Sequence, residues 1–108
     1  MPQYLGRFSY TADAVRALVN DPQDRSVAAR EAVESLGGTL LGYWYAFGEF
    51  DGVFIADAPD NATAAAVAMA VAGAGALSKL ETTVLIGMDE AQEAMRKAAA
   101  ATYRPPGG

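Results

Sequence analysis

Residues 37–57 constrain the fold of this chain more than any other segment, because they describe two strands that are apolar on both faces. The segment reads GGTLLGYWYAFGEFDGVFIAD and holds much of the chain's aromatic content. Apolar residues occupy both the odd and the even positions, so neither face of the resulting ribbon suits water. Each face must therefore be covered, and the rest of the chain supplies helices for only one of them.

Two turn placements are open for this hairpin. A two-residue loop at Gly48-Glu49 has glycine first, as a type II′ turn requires, and a loop at Asp51-Gly52 is the alternative. We favour the first because it leaves longer strands. It predicts an aromatic face made of Tyr43, Tyr45, Phe47, Phe50 and Phe54, and an opposite face built on Trp44, Val53 and Ile55.

The favoured turn also fixes the register of the two strands. The predicted pairs on the aromatic face are Phe47/Phe50, Tyr45/Gly52, Tyr43/Phe54 and Leu41/Ala56, and those on the other face are Trp44/Val53, Gly42/Ile55 and Leu40/Asp57. In this register the ring of Tyr45 covers Gly52.

The flanking patterns give an element order. Residues 3–10 alternate as a strand, 11–36 form a helix that restarts at Asp21-Pro22, 61–72 form a helix, 77–88 a strand and 89–103 a last helix. The order β-α-β-β-α-β predicts an α+β, ferredoxin-like fold: a four-stranded antiparallel sheet with helices on one face, plus a C-terminal helix. We predict one domain over residues 1–103 and a disordered tail over 104–108.

The composition excludes several kinds of chemistry. The chain of 108 residues contains no cysteine and no histidine, which rules out thiolate or imidazole metal sites and a Ser-His-Asp triad. The net charge is −5 and the basic residues are scattered, which argues against nucleic acid and membrane as partners. We predict no metal and no cofactor. In the absence of a signal peptide or membrane span, a cytoplasmic location is expected.

A few polar residues are candidates for a ligand site. Arg7 and Glu81 occupy mid-strand positions on strands that are neighbours in a ferredoxin-like sheet, so they form a surface ion pair or bind and orient a substrate carboxylate. The aromatic residues Tyr43, Tyr45 and Phe54 line a pocket or pack in a sealed interior or interface. The acidic residues of the hairpin have ordinary places in turns and helix caps, so no catalytic residue is assigned.

The hairpin and its flanks resemble the GYD domain family, which is named for a glycine, a tyrosine and an aspartate in this hairpin. The matching positions are Gly48, Phe50, Asp51, Asp57, Pro59 and Asp60, with phenylalanine at 50 where the family has tyrosine. Tyr10-Thr11, Arg25 and residues 36–38 also resemble the family. The likeness runs through most of the chain and weakens after Gly75.

The resemblance implies a small bacterial protein of the dimeric α+β barrel type, in a family without an established activity. Three functional hypotheses follow. The first is a homodimer, or a higher homo-oligomer, formed through a sheet face and without assigned activity. The second is a cofactor-free isomerase or monooxygenase acting on an aromatic or polyketide-like substrate. The third is a module that senses a small molecule.

Overall fold

Residues 1–107, which the computed structural model describes, form four strands and four helices in the predicted order. The elements are β1 (Gln3–Tyr10), α1 (Ala12–Asn20), α2 (Ser26–Ser35), β2 (Thr39–Tyr45), β3 (Gly52–Asp57), α3 (Asn61–Gly73), β4 (Leu77–Leu85) and α4 (Met88–Ala100). The last strand and the last helix both end earlier than predicted. Of the predicted tail, Gly108 lies outside the described residues.

The strands form one antiparallel sheet in the order β2-β3-β1-β4. β1 is therefore central and pairs with β3 on one side and β4 on the other. This order confirms the ferredoxin-like α+β fold. The sheet of a single chain does not close into a barrel, because β2 and β4 remain as edge strands.

The register between β2 and β3 agrees with the prediction near the loop and departs from it at the far end. Observed pairs that match are Tyr45/Gly52, Trp44/Val53, Tyr43/Phe54 and Gly42/Ile55. Leu41 is then an extra residue, a β-bulge, so Leu40 lies opposite Ala56. The predicted pairs Leu41/Ala56 and Leu40/Asp57 are therefore wrong. The bulge turns the side chain of Leu40 into the core, where it is buried.

The hairpin loop is longer than the predicted two-residue turn. The N–H of Ala46 donates to the carbonyl oxygen of Asp51 at 2.9 Å, so residues 47–50 form the connection. β1 holds this loop in place at two points. The N–H of Asp51 donates to the carbonyl of Phe8 at 2.8 Å, and the N–H of Tyr10 donates to Oδ2 of Asp51 at 2.9 Å. These bonds favour the wider loop.

The wider loop removes two residues from the predicted aromatic face. Phe47 projects fully into solvent, whereas Phe50 is buried on the side of the sheet that the helices do not cover. There the Phe50 ring lies 4.6 Å from both the Arg7 guanidinium carbon and the Lys79 ammonium nitrogen. The predicted pair Phe47/Phe50 is therefore wrong, and Phe50 instead supports two cations.

Glycines on the two inner strands leave room for aromatic rings from the neighbouring strand. A Cβ added at Gly52 would lie 2.2 Å from the Phe8 ring, and one added at Gly6 would lie 2.1 Å from the Phe54 ring. Gly52 pairs with Phe8 and Gly6 pairs with Phe54, so each ring covers its own cross-strand partner. The ring over Gly52 therefore belongs to Phe8. The prediction that Tyr45 covers Gly52 is wrong.

Polar side chains cap the starts of α1 and α3. Oγ1 of Thr11 accepts from the N–H of Ala14 at 3.1 Å, and Oδ1 of Asp60 accepts from the N–H of Thr63 at 2.8 Å. The second helical segment does not restart at Asp21-Pro22. It begins at Ser26, whose N–H donates to Oδ1 of Asp24 at 2.9 Å. Residues 21–25 are therefore a loop between α1 and α2.

The core lies between one sheet face and the helices α2 and α3. It consists of Val33 from α2, Leu40, Ala56 and Val67 from α3, flanked on β1 by buried Tyr4 and Phe8. Helices α1 and α4 have no buried side chain, and α4 is the longer of the two. It contributes to an elongated shape of 59 × 34 × 22 Å with a radius of gyration of 17.5 Å, compared with about 13 Å for a compact domain of this length.

Candidate functional site

A cavity of about 290 Å³ lies between the sheet and the helices α2 and α3. It is roughly twice as large as the ~150 Å³ cavity that holds a benzene molecule. Its walls are mainly apolar, with contributions from Phe8, Val33, Leu40, Phe54, Val67 and Val71. A hollow of about 40 Å³ adjoins it at the Tyr4 end. We call the larger space the interior cavity.

The space exists because both helices present alanine to the sheet. Ala28, Ala29 and Ala32 of α2 line the interior cavity, as do Ala70 and the following Ala74 at the end of α3. A methyl side chain does not reach far enough to fill the gap between a helix and the sheet. The sequence therefore fixes a larger hollow at this end of the fold than at the Tyr4 end.

Three tyrosine hydroxyls meet at this end of the sheet, and we call them the tyrosine cluster: Tyr10, Tyr43 and Tyr45. The Tyr10 hydroxyl lies 2.8 Å from that of Tyr45 and 3.3 Å from that of Tyr43. Their rings contact one another edge to face, with centroids 5.9 Å apart for Tyr10–Tyr45 and for Tyr43–Tyr45. Tyr10 and Tyr43 also line the interior cavity. The cluster thus gives an apolar cavity a polar rim.

The pKa values of the three tyrosines are raised above the ordinary value. Desolvation is the largest cause that raises the pKa of Tyr10 and of Tyr45 to about 12, and it also raises the pKa of Tyr43. The positive charge of Arg25 acts on all three in the opposite sense, as a smaller cause. At neutral pH these phenols are hydrogen-bond donors and acceptors, not bases.

We expect the tyrosine cluster to titrate late. Because the pKa of Tyr10 and Tyr45 is about 12 in the folded protein and 10.0 in a model tyrosine, unfolded chains lose these protons first. Stability is therefore unaffected below pH 10.0, and falls as the pH rises from there towards 12. In a pH titration, the ultraviolet absorbance of phenolate should rise in a step near pH 12. This step should be smaller in the Tyr10→Phe variant and unchanged in the Tyr103→Phe control. Loss of all phenol protons in one step near pH 10 would contradict this.

Arg25 completes the polar rim at the start of α2. It lines the interior cavity, and its guanidinium donates to Oε1 of Gln23 at 3.1 Å. Sequence reasoning did not place Tyr10 or Arg25 in a site. The alternation of β1 puts Tyr10 on the face of Phe8, which was a usable signal. No pattern in the sequence indicates a site role for Arg25, because the predicted start of α2 is four residues too early.

The candidate ligand-binding residues divide between the two faces of the sheet. Tyr43 and Phe54 line the interior cavity, and Tyr45 belongs to the cluster beside it. Arg7 and Glu81 lie on the opposite face, where they are register partners and form an ion pair of 3.9 Å. The five residues therefore do not converge on one site, because residues that alternate along a strand point to opposite faces.

The face without helices carries a group of apolar side chains, and we call it the open sheet face. Its apolar members are Leu5, Trp44, Val53, Ile55 and Leu85, of which Trp44 is 53% exposed. At the loop end lie two ion pairs, Arg7–Glu81 and Lys79–Glu49. Adjacent apolar side chains that are partly exposed on one face of a domain are typical of an interaction site.

The remaining family-motif residues have structural places. Asp51 joins the loop to β1, and Asp60 caps α3, with the hydrogen bonds from Thr63 lowering its pKa. Asp57 ends β3 opposite Gln3 and Thr39, and Pro59 lies beside Gly37. Gly48 is in open space at the loop tip. None of these residues lines the interior cavity.

Within residues 1–107, no three acidic side chains come together as a metal site would require. Nor does any helix in that range have the length and hydropathy needed to cross a membrane. The interior cavity and the open sheet face are thus the candidate binding surfaces of the described chain.

The fold and the hairpin define a small α+β protein of the ferredoxin-like class. The chain belongs to the GYD domain family, whose model matches residues 4–95. No protein of curated function is significantly similar to it in sequence.

Two solved structures are similar in fold. The crystal structure of FFRP-DM1 has a TM-score of 0.56 at 10% sequence identity. The match covers 80% of this chain and 100% of that one. An uncharacterized NIPSNAP domain protein from Burkholderia xenovorans has a TM-score of 0.50 at 18% identity, covering 81% of this chain and 94% of that one. At these identities the likeness concerns the fold alone.

Proposed function

We propose that this GYD domain protein is a homodimeric module that binds a small, mainly apolar molecule in the interior cavity. The observation that carries the proposal is the cavity itself: about 290 Å³ of mainly apolar space with the tyrosine cluster and Arg25 at one end. An apolar pocket with a few convergent polar groups is the usual form of a small-molecule site. The size suits one or two fused rings.

The chemistry of the rim favours binding over catalysis. A cofactor-free isomerase or monooxygenase would need a base to remove a proton from its substrate. The rim offers phenols whose pKa is raised by burial, to about 12 for Tyr10 and Tyr45, and a guanidinium that stays protonated. These groups donate hydrogen bonds and orient a ligand. They support retention of a ligand rather than turnover.

The open sheet face supports the homodimer. Its apolar residues need a partner, and its polar end carries two cations and two anions, in the pairs Arg7–Glu81 and Lys79–Glu49. The net charge of this polar end is therefore zero, so two copies placed face to face do not repel each other there. A two-fold contact also uses the same surface on both chains, so the sequence needs to encode only one patch.

Helix α4 supports the same proposal from a second direction. It has 13 residues and no buried side chain, and isolated helices shorter than about 12–15 residues are marginal in water. Its apolar residues Met88, Ala91, Met95 and Ala98 fall on one side of a helical wheel. In the proposed dimer this side of α4 packs against the second copy.

Binding can be tested with three bicyclic aromatics that differ in their polar group: 2-naphthol, 2-naphthamide and 2-naphthoate. We expect at least one of them to bind with one molecule per chain in isothermal titration calorimetry. Ala29→Leu should abolish that binding, because the added atoms occupy the cavity that Ala29 lines. By filling empty space, the same change should leave the free energy of unfolding equal or higher.

The matched control is Ala65→Leu on α3, where the alanine is exposed and does not line the cavity. It should bind like the wild type. If none of the three compounds binds, or if Ala29→Leu binds as well as Ala65→Leu does, the interior cavity is not a ligand site.

A further inference from the structure

The tyrosine cluster has more donors than its own contacts use. Tyr10, Tyr43 and Tyr45 carry three hydroxyl protons, and two contacts between hydroxyl oxygens join them. Each contact uses one proton, so one proton of the cluster is left to donate elsewhere. A hydrogen-bond acceptor at the mouth of the cavity would satisfy it.

Arg25 adds a positive charge at the same place. Its recorded partner, Oε1 of Gln23, is neutral, and it takes no part in the ion pairs found among residues 1–107. Asp24, its acidic neighbour in sequence, accepts from the N–H and the hydroxyl of Ser26 and forms no ion pair with Arg25. The guanidinium of Arg25 therefore has no ion-pair partner among residues 1–107.

The number of charges limits the kind of anion. Arg25 is the cation among the residues that line the interior cavity, and the other polar groups at its rim are neutral phenols. One guanidinium with neutral donors matches a singly charged, planar group with two acceptor oxygens. A phosphate ester, with nearly two charges at neutral pH, would need a second cation.

From these contacts we propose that the molecule held in the interior cavity is an aromatic or compact aliphatic monocarboxylate. Its apolar part lies among Phe8, Leu40 and Val71, and its carboxylate accepts from Arg25 and from the tyrosine cluster. This inference rests on the proposed function, since it names the ligand class of the same cavity. It adds a recognition role for Arg25 and for the Tyr10 hydroxyl.

The test compares 2-naphthoate with 2-naphthamide, which have the same ring system and differ in charge. We expect the wild type to bind the carboxylate at least about tenfold more tightly, as a charge-assisted hydrogen bond allows. Arg25→Gln should remove that advantage, weakening 2-naphthoate by about tenfold or more and leaving 2-naphthamide unchanged. Tyr10→Phe should weaken 2-naphthoate as well.

Two controls carry the same chemical change to sites outside the rim: Arg30→Gln on α2 and Tyr103→Phe near the C-terminus. Both should bind 2-naphthoate like the wild type. Equal affinity for the two compounds, or an equal loss of both on Arg25→Gln, would overturn the carboxylate inference while leaving the cavity as a ligand site. Failure of both compounds and of 2-naphthol to bind would overturn the proposed function together with it.

Discussion

In the proposed homodimer, Ile55→Glu is expected to convert the dimer to a monomer. Ile55 lies on an inner strand of the open sheet face, between its register partners Leu5 and Gly42 and beside Trp44. In the proposed dimer a glutamate there would be an uncompensated charge in the interface, which costs about 3–5 kcal/mol. The dimer dissociation constant should therefore rise at least about 100-fold. Sedimentation equilibrium over a concentration series measures it.

The control for this change is Val19→Glu, which places the same charge on an exposed residue of α1. It should sediment like the wild type. Far-ultraviolet circular dichroism should show both variants folded, because Ile55 is partly exposed in the single chain and the charge of the glutamate would reach water there. A wild type that is monomeric at micromolar concentration, or an Ile55→Glu variant that stays dimeric, would contradict the proposed assembly.

Gly52→Ala is expected to be strongly destabilising. The new Cβ would lie 2.2 Å from the Phe8 ring, and Phe8 is 3% exposed. A buried ring has little room to move, so the methyl forces either the ring or β3 away from its place. Overpacking of this kind costs about 1–3 kcal/mol and occasionally more. We expect a loss near the upper end, measured by urea unfolding at a fixed protein concentration.

Gly48→Ala provides the comparison. Gly48 lies at the tip of the hairpin loop with open space around its Cβ direction, so the same methyl group meets no atom. Its stability should stay within about 0.5 kcal/mol of the wild type. If Gly52→Ala were equally harmless, the arrangement of aromatic rings over glycines would not be a determinant of stability.

Much of the fold could be predicted because local patterns and global topology agree. The alternation of residues 3–10 gives the buried and exposed sides of β1, and the cap at Asp60 gives the start of α3. The element order then leaves the ferredoxin-like sheet as the natural arrangement. Even the pairing of Arg7 with Glu81 follows from that topology.

The loop and the bulge could not be predicted because distant residues decide them. The hairpin from Ala46 to Asp51 is widened by hydrogen bonds to Phe8 and Tyr10, which are far away in sequence. The bulge at Leu41 turns Leu40 into the core, an effect of burial that strand pairing alone does not reveal. In both places tertiary contacts outweigh local turn preference.

The candidate site was predicted only in part, for a related reason. The hairpin pattern predicts that Tyr43, Tyr45 and Phe54 share one face. In the structure Tyr43 and Phe54 line the interior cavity, and Tyr45 belongs to the tyrosine cluster beside it. Arg25 reaches the rim only because α2 begins at Ser26, and that start depends on the side chain of Asp24. The cavity itself arises from alanines on α2 and α3. Alanines also suit a helix that packs tightly against a sheet, so composition alone does not distinguish a cavity from a tightly packed interface.

The position of bound 2-naphthoate tests most directly whether a small molecule occupies the interior cavity. Nuclear Overhauser effects between the naphthalene protons and the side chains of the protein would locate the compound. We predict contacts to the methyl groups of Val33, Val67 and Val71 and to the ring of Phe8, with none to the indole of Trp44 on the open sheet face. Contacts to Trp44 and Ile55 instead, or no contacts to the valine methyls at saturating compound, would contradict the account.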